Sequence, residues 1–281
     1  MNRIGIISKI AIYAFLTILT LIVLIPFFWT IGSSLSVSTE IGKYGGLDIR
    51  AFIPEHITLA NYKLLFEKYD MLRVLFNTVF VAATITILSL FFNSLAAYAL
   101  ARMDFKGKKV IFAIIVLTMI VPFELLVIPL YQVARQFHIT DQYTGLIIPA
   151  MASALGIFYF RQFFLDIPQA LEEAAIIDGA SRFRIYWSIV APLMKAPFVT
   201  MAVLAFLNQW DNFLWALTVI NNQKLILLQV ALMMIATSKE YVTDWGNVFA
   251  GAVLSAVPIA VLFIFIQKYY VQSIASVGIK G

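Results

Sequence analysis

Apolar residues in this chain do not alternate singly with polar ones; they come in long runs. A helix needs about 20 apolar residues to cross the hydrocarbon core of a bilayer. Six runs reach that length, at residues 10–31, 74–100, 110–134, 145–164, 198–220 and 248–270. The pattern predicts an all-α integral membrane protein whose residues 1–281 form a single transmembrane domain. The first run is longer than the ~7–15-residue apolar core of a signal peptide and reads as an uncleaved span. Three connections are long: 33–72, 165–196 and 221–247. The first carries the turn signals Gly45-Gly46 and Pro54, then Thr58, placed to cap a short amphipathic helix bearing Leu59, Tyr62, Leu65 and Phe66.

Composition agrees. The chain is 62% hydrophobic and 12% charged, with a mean hydropathy of +0.92, whereas a soluble domain has about half apolar and about a quarter charged residues. The net charge of +5 does not point to nucleic acid, because the basic residues sit mostly in short loops beside the runs, although the long first loop carries Lys43, Arg50, Lys63 and Lys68. They set the orientation instead. Cytoplasmic termini place Arg3, Lys9, Arg102, Lys106, Lys108 and Lys109 inside, with Arg161, Arg182, Arg184, Lys195, Lys268 and Lys280. Arg73 abuts the second run from outside and runs against the rule. Cysteine is absent, and His56 and His138 fall in separate loops, so no metal site is expected. No Gly-x-x-x-x-Gly-Lys-Ser/Thr occurs, Lys106-Gly107-Lys108-Lys109 being only a basic turn. No paired carboxylates or Ser/His/Asp set suggests bond chemistry. The expectation is no enzyme and no cofactor bound by this chain.

The connection 165–196 is the most informative stretch. Pro168 suits a first helical turn. Ala170, Leu171, Ala174, Ala175 and Ile177 recur at helical spacing, and Gly179 stands where a left-handed terminator is wanted. Ser181 can cap a second helix running to Val190, with Pro192 stopping it. Two short helices meet at a sharp bend. The small alanines let another surface approach closely, and Glu173 offers an acidic contact.

This segment resembles the EAA loop of ABC importer permeases: Glu173-Ala174-Ala175, Asp178-Gly179-Ala180, then Ala191-Pro192 where the family has Leu-Pro. Further stretches are similar to the carbohydrate branch typified by maltose and multiple-sugar permeases. They are Leu59-Ala60-Asn61-Tyr62, Ala96 to Arg102, Ile128-Pro129-Leu130-Tyr131, Trp210-Asp211-Asn212-Phe213 and the closing Gly278-Ile279-Lys280-Gly281. The resemblance implies a type I importer permease with a cytoplasmic coupling helix between spans four and five, seated in an ATPase subunit. Its contact residues are Glu172, Glu173, Ala174, Ala175, Asp178, Gly179 and Ala180. It also implies a second permease in a heterodimer, two ATP-binding subunits that use ATP and Mg, an extracytoplasmic solute-binding protein and a sugar substrate. The setting it implies is a prokaryotic cytoplasmic membrane.

Polar residues inside apolar runs are costly and tend to face a cavity or partner. Asn208, Asp211, Asn212 and Trp215 fall at i, i+3, i+4 and i+7, on one face of a continuous helix. Such a stripe offers a sugar hydrogen bonds and an aromatic plate; equally, it can join helices. Glu124, between Pro122 and Pro129, suits a pathway or a distorted turn. Asn93 reads as a helix-packing hydrogen bond. One competing reading is a secondary transporter or channel with Asp211 or Glu124 as its ion or proton site. Another is a membrane enzyme using those carboxylates, which the spacing supports little.

Overall fold

The computed structural model describes residues 6–41, 50, 52–237 and 244–277. Arg3, Lys43, Gly45, Gly46 and the closing Gly278 to Gly281, Lys280 included, lie outside the described residues. All regular structure among the described residues is helical. In chain order the helices begin with α1 (Ile6–Ser34), α2 (Ala60–Lys68), α3 (Met71–Arg102), α4 (Lys108–Thr118) and α5 (Phe123–Gln136). Next come α6 (Tyr143–Ile147, with a 3-10 turn to Ala150), α7 (Ala154–Leu165), α8 (Ala170–Ile177) and α9 (Arg182–Leu193, with a π turn at Tyr186–Val190). The last four are α10 (Lys195–Trp210), α11 (Leu214–Val219), α12 (Leu228–Ala236) and α13 (Trp245–Val277).

Helices α1, α3 and the first 20 residues of α13 are long and apolar enough to cross a membrane unbroken. Three further crossings are bent pairs: α4 with α5 at 107°, Tyr143–Ala150 with α7 at 41°, and α9 with α10 at 83°. Six crossings therefore fit, but the third, fourth and fifth runs are not the continuous helices expected. Hydropathy measures solvent preference, and a run scores the same whether or not its backbone is broken. Pro122 takes an extended conformation (φ −59, ψ 136) at the head of α5, which ends the helical path there.

The described chain groups into two compact units: residues up to Leu72 with Ala231–Ala260, and Arg73–Val230 with those from Val261. In the first, α1 is apolar all round and buries none of its most apolar window, as a lipid-facing span does. Its last turn leaves orphan carbonyls. Asn61 satisfies this end, donating from Nδ2 to Ser34 O (2.8 Å) and Ser36 O (2.9 Å). Tyr62 Oη lies 2.7 Å from Ser34 Oγ. Thr58 Oγ1 accepts the Ala60 N–H (3.0 Å) at the start of α2; Leu65 is buried there, while Leu59 and Phe66 are exposed. His56 Nδ1 is 2.7 Å from Glu40 Oε1, and Glu55 lies 3.9 Å from Arg50. These three ligand-type side chains come within 4.8 Å of one another, a proximity the loop separation of the histidines did not suggest. In the second unit, α3, α7, α8, α9 and α10 share a core of Ala97, Tyr98, Phe160, Phe164, Ala175, Ile185, Tyr186, Val190, Met194 and Met201.

Candidate functional site

The α8–α9 bend forms as its residues dictate. The Gly179 N–H donates to Ile176 O (3.0 Å) and the Ala180 N–H to Ala175 O (2.9 Å). This is the double closure of a left-handed helix end, and Gly179 sits at φ 79. Ser181 Oγ accepts the Arg184 N–H (3.3 Å) and starts α9. Pro192 does not stop this helix at Val190; it falls within a short last turn, Ala191–Leu193, that follows the π turn. The chain turns at Met194 instead.

The two glutamates of α8 part company. Glu172 is 2% exposed. Its carboxylate accepts the Tyr98 hydroxyl (2.9 Å), meets Arg102 Nε at 3.0 Å and lies 4.0 Å from Arg182. Arg102 also donates to Phe164 O and Ile167 O, so one guanidinium ties α3 to the end of α7 and to α8. The EAA resemblance places Glu172 among the outward contact residues; in the structure it faces the core, as does Ala175 one turn on. Glu173, Ala174, Asp178 and Gly179 are exposed, and Ala180 is half-buried. Leu171, Ala174 and Ile177 form an outward ridge, with Ile177 85% exposed. In the sequence Arg102 counts as a cytoplasmic charge and as the end of a family-like stretch; its pairing with Glu172 is signalled only by Tyr98, four residues earlier on the same helical face.

The second feature is a cavity of about 580 Å³ in the unit containing Arg73–Val230. Non-helical backbone is tolerated at membrane depth only where protein or a cavity receives it. Three helix breaks meet this one: Phe123 and Glu124 at the head of α5, Ala152 and Ser153 before α7, and Asp211 to Phe213 after α10. Asn208, Asp211, Asn212, Trp215 and Glu124 all line it. They are gathered by the break, not by one helical face, since α10 ends at Trp210 and α11 begins at Leu214.

Trp215 is not an open plate: it is 2% exposed and donates Nε1–H to Gly145 O at 3.0 Å. Asn212 Nδ2 donates to Gln209 Oε1 (3.0 Å), Gln209 Nε2 to Asn208 Oδ1 (3.3 Å), and Gln229 Nε2 to Asp211 Oδ1 (3.2 Å). Glu124 has no hydrogen bond or ion pair among the described residues and stands exposed. Ser153, Gln209 and Gln229 are additions to the expected set. Gln209 was visible as a polar residue within an apolar run, whereas Ser153 and Gln229 arrive by folding alone. Asn93 is a packing residue as expected, fully buried, accepting the Ser153 N–H (2.9 Å) and donating to Ser89 Oγ (2.8 Å). Outside the cavity lining, Asp141 accepts the backbone N–H groups of Asn221 and Asn222. These bonds hold its carboxyl below the usual carboxylate range. Chemically, the cavity offers amides that both donate and accept, and carboxylates that accept.

A helical chain with up to six apolar crossings, three of them interrupted around a cavity of mixed polar and apolar lining, has the architecture of a polytopic membrane protein. The chain belongs to the family of binding-protein-dependent transport system inner membrane components, which it matches over residues 93–276. It is 35% identical to the arabinooligosaccharides transport system permease protein AraQ of Bacillus subtilis, over 97% of this chain and 96% of that protein. It is 32% identical to the sulfoquinovosyl glycerol transport system permease protein SmoH of Agrobacterium fabrum, over 92% and 89%. Among solved structures, a bacterial ABC transporter involved in the import of the acidic polysaccharide alginate matches with a TM-score of 0.83 at 25% identity. That match covers 96% of this chain and 100% of the other. The family read from the EAA segment is thus borne out, and with it an integral inner-membrane location and a role in transport rather than catalysis.

Proposed function

We propose that this chain is the permease subunit of an ATP-driven importer of a mono- or oligosaccharide, coupled through α8 to a separate ATPase. Its cavity forms part of the solute path. The observation that carries the reading is the outward face of α8. Leu171, Ala174 and Ile177 lie exposed beside Glu173 and Asp178, while Glu172 anchors the opposite face to Arg102. A short helix fixed firmly on one side and apolar on the other is suited to seat in a partner's groove. The relatives' names supply sugar-type solutes, and the family name supplies a binding protein.

The full assembly adds a second, similar permease, two ATP-binding subunits holding ATP and Mg, and an extracytoplasmic solute-binding protein. Both termini and α8 lie on the cytoplasmic side. Closure of the ATPases displaces α8 and shifts the balance between inward-open and outward-open states, through contacts that differ in the two.

The test is Glu173→Lys and Gly179→Asp in the assembled complex. Glu173→Lys reverses an exposed charge; Gly179→Asp puts a side chain where φ is 79 and adds a carboxylate to the docking face. Both are expected to cut substrate-stimulated ATP hydrolysis and uptake by about tenfold or more, the scale of one lost interface contact. Wild-type activity in both would refute the docking claim. Uptake by the purified chain alone, driven by an ion gradient without ATP, would instead favour a secondary carrier. The relatives transport both neutral and anionic solutes by name, so the family leaves the solute's charge open.

A further inference from the structure

We propose that the cavity selects neutral saccharides over anionic ones, with Glu124 and Asp211 setting the sign. The inference rests on reading this cavity as the solute path, and it concerns this chain's own share of that path. Two carboxylates, Glu124 and Asp211, line the cavity beside Ser153, Asn208, Gln209 and Asn212, and none of the described lining residues is basic.

Helix ends moderate the field without reversing it. The N-termini of α5 and α7 meet the cavity, as does the C-terminus of α10. Each end carries about half a charge, positive or negative respectively. Two halves positive and one half negative leave the two carboxylates with a net charge of about −1.5.

The bonding complement points the same way. Asp211 receives a bond from Gln229, whereas Glu124, also in the lining, has no hydrogen bond or ion pair among the described residues. A carboxylate only accepts hydrogen bonds. A sugar hydroxyl can donate to it; a uronate, sulfonate or phosphate group brings acceptors and a like charge.

The experiment uses the complete transporter in lipid nanodiscs, without the binding protein, so that the membrane cavity alone is read. Binding of a neutral trisaccharide, arabinotriose, is compared by calorimetry with binding of trigalacturonate. Arabinotriose is expected to bind at least about tenfold more tightly. The near-isosteric Glu124→Gln and Asp211→Asn changes are expected to raise trigalacturonate binding, singly by a few-fold and together enough to remove most of the gap. Higher salt is expected to narrow the gap in the unaltered complex and not in the double variant. Equal binding of the two sugars, or a preference unchanged in variants that still bind arabinotriose, would overturn the proposal. Failure of the underlying sugar-path reading is distinguishable: arabinotriose itself would not bind the unaltered complex, and both claims would fall together.

Discussion

Asp141 holds a positive φ of 57, and its N–H donates to Val219 O at 3.0 Å. Its carboxylate accepts the N–H groups of Asn221 and Asn222, so one side chain pins the loop after α11 to the turn before α6. The bonds favour the charged form and lower the pKa. The stabilisation is therefore fully present above the ordinary carboxylate value of about 3.9, and is lost as pH falls through the lower folded value. Asp141→Ala is expected to lower the Tm of the purified protein at neutral pH, with the difference shrinking below about pH 4. Thermal melts at pH 7 and pH 3 check this; an equal difference at both would refute the charge-dependent latch. The sequence did not announce this residue, because its partners lie about 80 positions away. The same limit separates Glu172 from Glu173. Both read as surface acids of a short helix, and only the arrival of Tyr98 and Arg102 on one side decides which is buried.

At the level of elements, the apolar runs were legible because lipid imposes length and composition on every crossing. The breaks within three of them were not, although each left a trace: Pro122, Pro149 and the polar Asp211-Asn212. The bent segment between α7 and α10 was legible in detail, since a glycine terminator and a serine cap act locally. Its far end was misjudged, because Pro192 falls within the last turn and does not end the helix at Val190. Packing between elements sets its own constraints. A Cβ on Gly145 would collide with the backbone carbonyl of Ile139 and lie 3.3 Å from Val219 Cγ2, where α6 meets α11. A Cβ on Gly156 would meet the Asn93 side-chain amide at 2.6 Å. The Ile139 carbonyl yields only if the backbone moves, whereas Asn93, buried and bonded to Ser153 and Ser89, yields only by loosening those bonds. Gly145→Ala is therefore expected to cost about 3 kcal/mol and Gly156→Ala nearer to about 2 kcal/mol, both within the overpacking range. The order of their Tm values in detergent tests this. If Gly156→Ala proved the more damaging, the close approach of α6 to the α5–α6 turn would not be what demands glycine.

Across the molecule, the unit containing Arg73–Val230 provides two routes by which movement of α8 can reach the cavity. Along one, Glu172 grips Arg102, whose guanidinium also holds Phe164 O and Ile167 O; α7 then runs from this anchor back to Ser153 in the cavity wall. Along the other, α9 turns at Met194 into α10, which ends beside Asn208 in the same wall. Only the first route passes through a single side chain, so it can be cut without breaking the chain. Arg102→Lys keeps a positive charge near Glu172 but loses the planar fork that bonds two carbonyls while it pairs with the carboxylate. On the proposed function, the variant still docks the ATPase, because Glu173, Ala174 and Asp178 are untouched. Its ATP hydrolysis should persist while solute moved per ATP falls by about fivefold or more, the lower bound of ordinary coupling energies. Measuring uptake and hydrolysis on the same proteoliposomes separates this from simple misfolding, which lowers both in step. An unchanged ratio would assign transmission to the α9–α10 route, leaving the Glu172–Arg102 pair as a fold anchor alone.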